Sequence, residues 1–506
     1  MGPSPVAQSL PIMHTSLTFA LFALAATPTV SPGLTLACGD VSEHSVVVWV
    51  QTDAAGPVEI EVDRDPAFSA PQTFRLNVDA STDFAGQRSI QGLRPGSRYH
   101  LRARAGAASA AGRCATAPAA EAAVRVRFLV GGDLGGQGWC RDPLEGYRIF
   151  DSMEKRHPDF FIANGDMIYA DGSCPAIAAE GQRNLPGGFP GVSDPGVAWT
   201  DAAALRRIFF AHWRYNRADS KVRAFLSSTP IFAQWDDHEV GNDFGAAWPA
   251  SPREPARAGF PILVAEGRSA FVAANPLRTG AAGGRLYRRQ RWGRELELFV
   301  VDGRSHRAPN DQVDGPQKTL LGAEQKAWLV AGLRTSTATF KVVSFNVPLS
   351  VPTGSRADRY GRDGFANGTD DDFSSRTGFE HELLEILSSL ERARVRNLVV
   401  VATDVHLAAS LRHRIDLDGD GQAFVFYELI SGPLRAGRRA TLPQLDPTLS
   451  PVILFSEGNL FNFGEVEIVP ARDASSTLLY TVRDQDGQVR PGSRLELRAE
   501  PSTPPP

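Results

Sequence analysis

Apolar residues follow two different rhythms along this chain. Between residues 34 and 117 they form short runs, most of which alternate with polar residues. Residues 46–50 read VVVWV, 58–62 VEIEV, 74–78 FRLNV and 99–105 YHLRARA, with Gly, Pro and Asp in the gaps. Alternation with period two marks half-buried strands. Several such strands in ~80 residues predict a small β-sandwich. From residue 124 the rhythm changes. Apolar-rich runs at 124–130, 159–163, 230–235, 296–301, 341–345 and 397–402 are separated by helical stretches at 147–156, 201–215, 324–333 and 379–393. A run such as FFIA at 160–163 is what a strand buried on both faces looks like. The alternation of these runs with helices predicts an α/β domain around a central sheet. Further strands are expected at 423–430, 464–469 and 477–482.

The expected organisation follows. Residues 1–33 form a leader, 34–117 a β-sandwich and 124–485 the α/β domain. Residues 105–123 are an Ala/Gly-rich linker, and 486–506 a disordered, Pro-rich tail. The leader carries a ten-residue apolar block, LTFALFALAA at 17–26, with no Lys or Arg before it. A block of that length suits the apolar part of a secretory signal, so a secreted or periplasmic protein is expected. No apolar run reaches the roughly 18–20 residues of a membrane span.

Composition narrows the classes. Hydrophobic residues are 42 % of 506 and charged residues 22 %, which supports a large core and excludes wholesale disorder, coiled coil and collagen. Lys and Arg number 53 against 57 Asp and Glu, so the basic surplus of a nucleic-acid binder is missing. The four cysteines contain no C-x-x-C pair, which excludes a Cys-rich zinc site. Cys38 and Cys114 bracket the sandwich, as a disulfide or as two thiols.

The chemistry lies where the apolar runs stop. Four of them end in acidic or His-bearing turns: GDLG at 132–135, GDMIY at 165–169, DDHE at 236–239 and TDVH at 403–406. One such turn is unremarkable, since Asp caps helices and stabilises turns. Four in order bring acids to one edge of a sheet, the edge where α/β proteins place their ligands. Gathered carboxylates repel one another unless cations neutralise them. A pair of cations held there is suited to phosphoryl transfer.

These blocks resemble the calcineurin-like metallophosphoesterases, and more narrowly the PhoD-type alkaline phosphatases. The resemblance rests on GDMIYADG (165–172), WDDHEVGND (235–243), VDGRSHR (301–307), LLGAEQKAWL (320–329), FKVVSFNVPLS (340–350) and ATDVHLA (402–408). It implies a metallophosphatase-type α/β sandwich preceded by a small β-sandwich. By the same resemblance Asp166 bridges two metal ions, Asp133, Tyr169 and His406 complete the first site, and Asp237 and Asp404 hold the second, with Asn346 as a further ligand. His238 stands beside the substrate as acid or phosphate donor, and Arg304, oriented by Asp302, clamps phosphate. A phenolate ligand implies Fe3+, so Fe3+ with Ca2+ is the expected pair and Zn2+ or Mn2+ the alternatives. The reaction implied is hydrolysis of a phosphomonoester or phosphodiester by hydroxide that the metals generate. A phospholipase D-like phosphodiesterase and a non-catalytic metal- or phosphate-binding protein are the alternatives. A monomer acting on a phosphate ester is expected, with no nucleic-acid partner.

Two departures from the family pattern stand out. Asp133 occupies a position that is typically Cys in the family, and the leader lacks twin arginines. Cys140 and Cys174 follow Asp133 and Asp166 at similar distances, and a disulfide bracing the site is expected between them. Weaker signals remain. DLDGDG at 416–421 resembles the first half of a Ca2+ loop, but Tyr427 stands where the closing Glu belongs, so a polar turn is expected. Trp139 and Trp199 are candidates for the pocket wall or the core. Glu239 reads as a structural cap, and His212 and His381 as packing residues.

Overall fold

Strands β8 (Val126–Gly131), β9 (Phe160–Asn164) and β10 (Ile231–Gln234) are apolar at nearly every position because both of their faces are covered. In β8, Phe128 and Val130 point one way and Leu129 the other. The computed structural model describes residues 1–2, 33–245, 259–278, 284–354, 360–369, 376–471 and 475–500. The leader block at 17–26 lies outside the described residues.

The N-terminal strands are β1 (Leu34–Gly39), β2 (Ser45–Thr52), β3 (Gly56–Asp63), β4 (Gln72–Val78), β5 (Ala85–Gln91), β6 (Arg98–Ala105) and β7 (Ala108–Ala115). Helices α1 (Ile149–Glu154), α2 (Ala202–Arg217) and α3 (Ser220–Ser228) intersperse β8–β10, and α4 (Phe260–Ala274) follows. Then come β11 (Arg288–Trp292), β12 (Leu296–Val300), α5 (Ala323–Thr335), β13 (Phe340–Ser344), α6 (Glu380–Arg392) and β14 (Leu398–Ala402). The chain ends with β15 (Ala408–Ile415), β16 (Phe424–Ile430), β17 (Val452–Glu457), β18 (Asn462–Val469), β19 (Thr477–Asp484) and β20 (Leu495–Arg498).

Two large mixed sheets face each other. One runs β20-β19-β18-β8-β9-β10-β1-β2-β5, the other β11-β12-β13-β14-β16-β15-β17. Phe128, Phe160 and Phe232 from the first pack in one cluster with Leu298, Val342 and Val399 from the second. The outer face of the first sheet carries α1–α4, through Leu129 and Phe161 against Phe150, Phe209 and Phe225. The outer face of the second carries α5 and α6, through Phe299 and Val400 against Leu329 and Leu387. The result is the expected metallophosphatase-type α/β sandwich, layered helix, sheet, sheet, helix. Helix starts are set locally: Asp201 accepts from the Ala204 N–H at 2.9 Å, and Asp219 from Lys221 at 3.0 Å.

The small N-terminal sandwich is present, but it is not closed off from the rest. Its back sheet is β4-β3-β6-β7, while its front sheet, β1-β2-β5, extends the first large sheet through the parallel bridge Gly39–Ile231. The described residues from 33 to 500 pack as one unit. The expected linker at 105–123 is half strand: β7 pairs along all of β6. Small residues suit β7 because it lies against β1 and α3, where Gly112 approaches Leu36 and Ser227 closely. A disulfide joins Cys38 on β1 to Cys114 on β7. The expected disordered tail is also corrected. Strand β20 pairs with β19, and Leu497 is buried in the shared core. Its alternation LELR is the signal that the surrounding Gly and Pro obscured.

Candidate active site

The parallel register of β8, β9 and β10, and of β12, β13 and β14, brings their carboxyl ends to one edge. Asp133, Asp166, the 236–239 turn, Asp302, Asn346 and Asp404 therefore emerge together, with His406 close behind. The backbone there is strained: Asp133 (φ 60°), Asp166 (φ 52°), Asp404 (φ 72°) and His406 (φ 57°) are all left-handed. Such conformations cost of order 1–3 kcal/mol each and persist where surrounding structure imposes them. Glu239 is one cause. Its buried carboxylate accepts from the N–H groups of Asp166 (3.0 Å), Met167 (2.8 Å) and Asp236 (2.7 Å), tying two strand-end turns together. Gly165 sits at φ 91° because a Cβ would lie 2.5 Å from that of Asp236. Gly136 lets the Tyr169 ring approach, since a Cβ there would fall 2.0 Å from it.

The acidic groups form four overlapping sets. Asp133, Asp166 and His406 offer ligand atoms within 4.8 Å of one another; so do Asp166, Asp237 and His238, and so do Asp236, Asp237 and Asp404. Asp166 belongs to two sets and Asp237 to three, the last of them with Asp243 and Asp363. Both carboxylate oxygens of Asp133, and single oxygens of Asp236, Asp237, Asn346 and Asp404, are buried without a hydrogen-bond donor. Buried acceptors in that number call for cations. Asp133, Asp166 and Asp404 are held well above the ordinary carboxylate range, first by burial and then by one another and by Asp236 and Asp237. The donor set is oxygen-rich with one or two imidazoles, which fits hard or borderline metal ions.

His406 is prepared as a ligand. Its Nδ1–H donates to the Gly437 carbonyl, which leaves Nε2 unprotonated, accepting from the Tyr169 hydroxyl at 2.9 Å and 3.5 Å from Asp133 Oδ1. Burial lowers its pKa to about 4, so it stays neutral. The phenol of Tyr169 is pushed well above its ordinary pKa by burial and by Asp166 and Asp133. His238 behaves oppositely. Burial disfavours its charge, yet the carboxylates of Asp171, at 2.8 Å, and Asp237 outweigh burial and raise its pKa to about 10. A cleft of about 820 Å³ opens beside it, lined by Asp237, His238, Asp404 and His406 and by Trp139, Arg438 and Arg439.

Seven of the residues expected from sequence thus converge with His238. Arg304 does not reach the cleft. Its side chain is fully buried, with Nε 2.6 Å from Asp236 and a bidentate pair to Asp363 at 2.8 and 2.6 Å. Its position corrects the phosphate-clamp expectation: the guanidinium is consumed by carboxylates beneath the site. Asp302 does hold the turn, accepting from the Arg304 N–H at 3.1 Å and from Trp235 at 2.8 Å. Trp139 is on the cleft wall, whereas Trp199 is buried in the core with its N–H on the Val192 carbonyl. Sequence reading missed Asp171, Asp363 and the Arg438–Arg439 pair. Asp171 had a signal, five residues past Asp166 in GDMIYAD; the others lie in loops whose approach only the fold creates. The expected bridge between Cys140 and Cys174 is formed, linking the loops after Asp133 and Tyr169.

Sequence and structure comparisons agree. The PhoD-like phosphatase family matches residues 128–457, and the N-terminal domain of PhoD-like phosphatases matches 23–118. Alkaline phosphatase D of Bacillus subtilis (strain 168) is 24 % identical over 454 residues, covering 81 % of this chain and 71 % of that protein. The solved structure of PhoD superposes with a TM-score of 0.71 at 19 % identity, covering 93 % of this chain and 92 % of its own. Purple acid phosphatase PPD1 from yellow lupin seeds shares the fold at a TM-score of 0.56 and 12 % identity, over 93 % of this chain and 77 % of its own. The chain belongs to the PhoD-like phosphatase family and is a phosphoric ester hydrolase.

Proposed function

We propose a metal-dependent phosphoesterase that cleaves phosphomonoesters and phosphodiesters at the 133–406 cluster. The observation that carries this reading is the set of buried, donor-free oxygens of Asp133, Asp236, Asp237, Asn346 and Asp404 beside an open cleft. Asp133, Tyr169 and His406 would hold one cation, Asp237, Asp404 and Asn346 a second, and Asp166, common to two ligand sets, would bridge them. Tyr169 favours a trivalent partner, because a phenol with so raised a pKa gives up its proton only to a strong positive charge; Fe3+ with Ca2+ is the pair we propose. Bound cations supply the Lewis acidity that activates water and neutralises phosphoryl charge.

The chain's own residues do the rest. His238 enters the reaction protonated, because Asp171 and Asp237 hold its proton, and Nε2 faces Asp237 at 3.9 Å on the cleft side. It is placed to give a proton to the leaving oxygen. Arg438 and Arg439 replace Arg304 as the cations that meet phosphate. The Arg439 N–H bonds the His406 carbonyl at 3.0 Å, and the Arg438 guanidinium lies 4.4 Å from the Trp139 ring. Stacking on Trp139 and Phe461, with Nη1 donating to the Asn459 carbonyl at 3.2 Å, holds this planar donor at the cleft wall, where its remaining N–H groups can meet a phosphate. A cleft of about 820 Å³ has room for phosphate with a substituent on either side, which supports diesters as well as monoesters. Two disulfides support export to the periplasm or beyond.

The test pairs metal content with turnover on the same sample. About two metal ions per chain, hydrolysis of p-nitrophenyl phosphate and bis-p-nitrophenyl phosphate, and loss of both activities in Asp166→Ala are expected. Bound metal without turnover of either ester, under any metal supplement, favours the binding-protein reading instead.

A further inference from the structure

The loop at 416–421, between β15 and β16, lies outside the cleft described above. Asp416, Asp418 and Asp420 stand at the first, third and fifth positions of an oxygen-donor loop, and Gly421 at the sixth is left-handed with φ 80°. The sequence argued against a cation there, because the loop's own closing carboxylate is missing. The structure supplies that carboxylate from another element. Glu391, in the last turn of α6, lies with Asp416 and Asp418 so that one oxygen from each is within 4.8 Å of the others.

Glu391 is the informative member. It is only 7 % exposed. Its Oε2 accepts from the Leu417 N–H at 2.9 Å, which fixes the carboxylate against the loop. Its Oε1 is buried and has no hydrogen-bond partner. A buried acceptor left bare costs of order 1–3 kcal/mol, more when charged. Among the described residues no Lys or Arg forms an ion pair with Glu391, Asp416 or Asp418, although Arg392, Arg394 and Arg396 line the same small cavity as Glu391, Asp418 and Asp420. Burial, then Asp418 and Asp416, raise the Glu391 pKa, against the N–H groups of Leu417 and Asp418, which lower it.

We propose that Asp416, Asp418 and Glu391 form a divalent-cation site, separate from the catalytic cluster, that takes Ca2+. Hard oxygen donors on a Gly-containing loop suit Ca2+, which accepts irregular oxygen geometry, better than Mg2+, which demands a near-ideal octahedron. The ion clasps the end of α6 to the β15–β16 turn. Since β16 pairs with β14, the strand that leads into the Asp404 turn, the clasp supports the second sheet without touching substrate.

The test counts Ca2+ by equilibrium dialysis on the full, metal-loaded chain, and follows Tm against Ca2+ concentration. Asp418→Asn, an exposed change, and Glu391→Gln are each expected to bind one Ca2+ fewer per chain than the wild type. Both are expected to lose the Ca2+-dependent rise in Tm and to keep phosphoesterase activity. Counting the difference separates this site from any Ca2+ in the catalytic cluster. If Glu391→Gln does not fold, Asp418→Asn alone decides. Equal Ca2+ stoichiometry and an equal Tm response in the folded variant and the wild type overturn the proposal.

Discussion

At the scale of single residues, the site separates groups that meet the substrate from groups that hold those in place. His238 belongs to the first kind. Replacing it by Gln is expected to lower kcat by about 10²–10⁴. The loss should be larger for an alkyl ester than for p-nitrophenyl phosphate, whose leaving group needs no proton; comparing the two substrates checks it. Tyr169 is a second marker. If it binds Fe3+ as a phenolate, the loaded protein absorbs visible light and Tyr169→Phe bleaches that band, as a spectrum of each will show. Arg304 belongs to the second kind. Arg304→Leu leaves Asp363 and Asp236 buried with one cation fewer, and is expected to destabilise the fold by about 3–5 kcal/mol in denaturant titration. Arg438→Ala, at the exposed cleft rim, is expected to raise KM about tenfold with Tm unchanged. The opposite pattern in the two variants would restore Arg304 as the clamp.

At the scale of elements, the two disulfides have different jobs. Cys38–Cys114 spans 76 residues and staples the two faces of the N-terminal sandwich. Cys140–Cys174 spans 34 residues and joins the loops that follow Asp133 and Tyr169. By loop-closure entropy each is worth about 4 kcal/mol. The Cys38→Ala/Cys114→Ala pair is therefore expected to lower Tm and spare kcat. The Cys140→Ala/Cys174→Ala pair should lower both, because the strained turns at Asp133 and Asp166 lose their brace. Thermal melts and kinetics on both double variants make the comparison.

At the scale of the whole molecule, buried histidine links stability to pH. His212 on α2 is buried, bonded through Nε2 to the Pro190 carbonyl, and burial lowers its pKa to about 4 from 6.5. The unfolded chain takes up that proton at a higher pH than the folded one. The stabilisation is complete above pH 6.5 and is lost as pH falls toward 4. The contribution reaches up to about 3 kcal/mol. His212→Gln should flatten the dependence of Tm on pH in that window relative to the wild type. Metal removal acts at the same scale: a chelator should lower Tm, because a ligand that binds only the folded state at 1,000 times its Kd adds about 4 kcal/mol.

Much of this was legible along the chain. The apolar runs at 124–130, 159–163 and 397–402 became central strands, because a strand covered on both faces has no polar side to show. Asp133, Asp166, Asp237 and Asp404 were legible for a related reason: each follows such a run, and parallel strands deliver their carboxyl ends to one edge. What sequence could not carry was any pairing between distant segments. The bridge from Gly39 to Ile231 merges the sandwich with the catalytic sheet, and no local pattern announces it. Arg304 looked like a phosphate ligand until Asp363, 59 residues away, was seen to neutralise it. Nothing along the chain links Glu391 to the 416–421 loop; the packing of α6 against that loop does. Local periodicity decides which residues form strands and which turns hold acids. Burial, and which charge finds which partner, depend on contacts between segments far apart in the chain, and those exist only once the sheets have closed on each other.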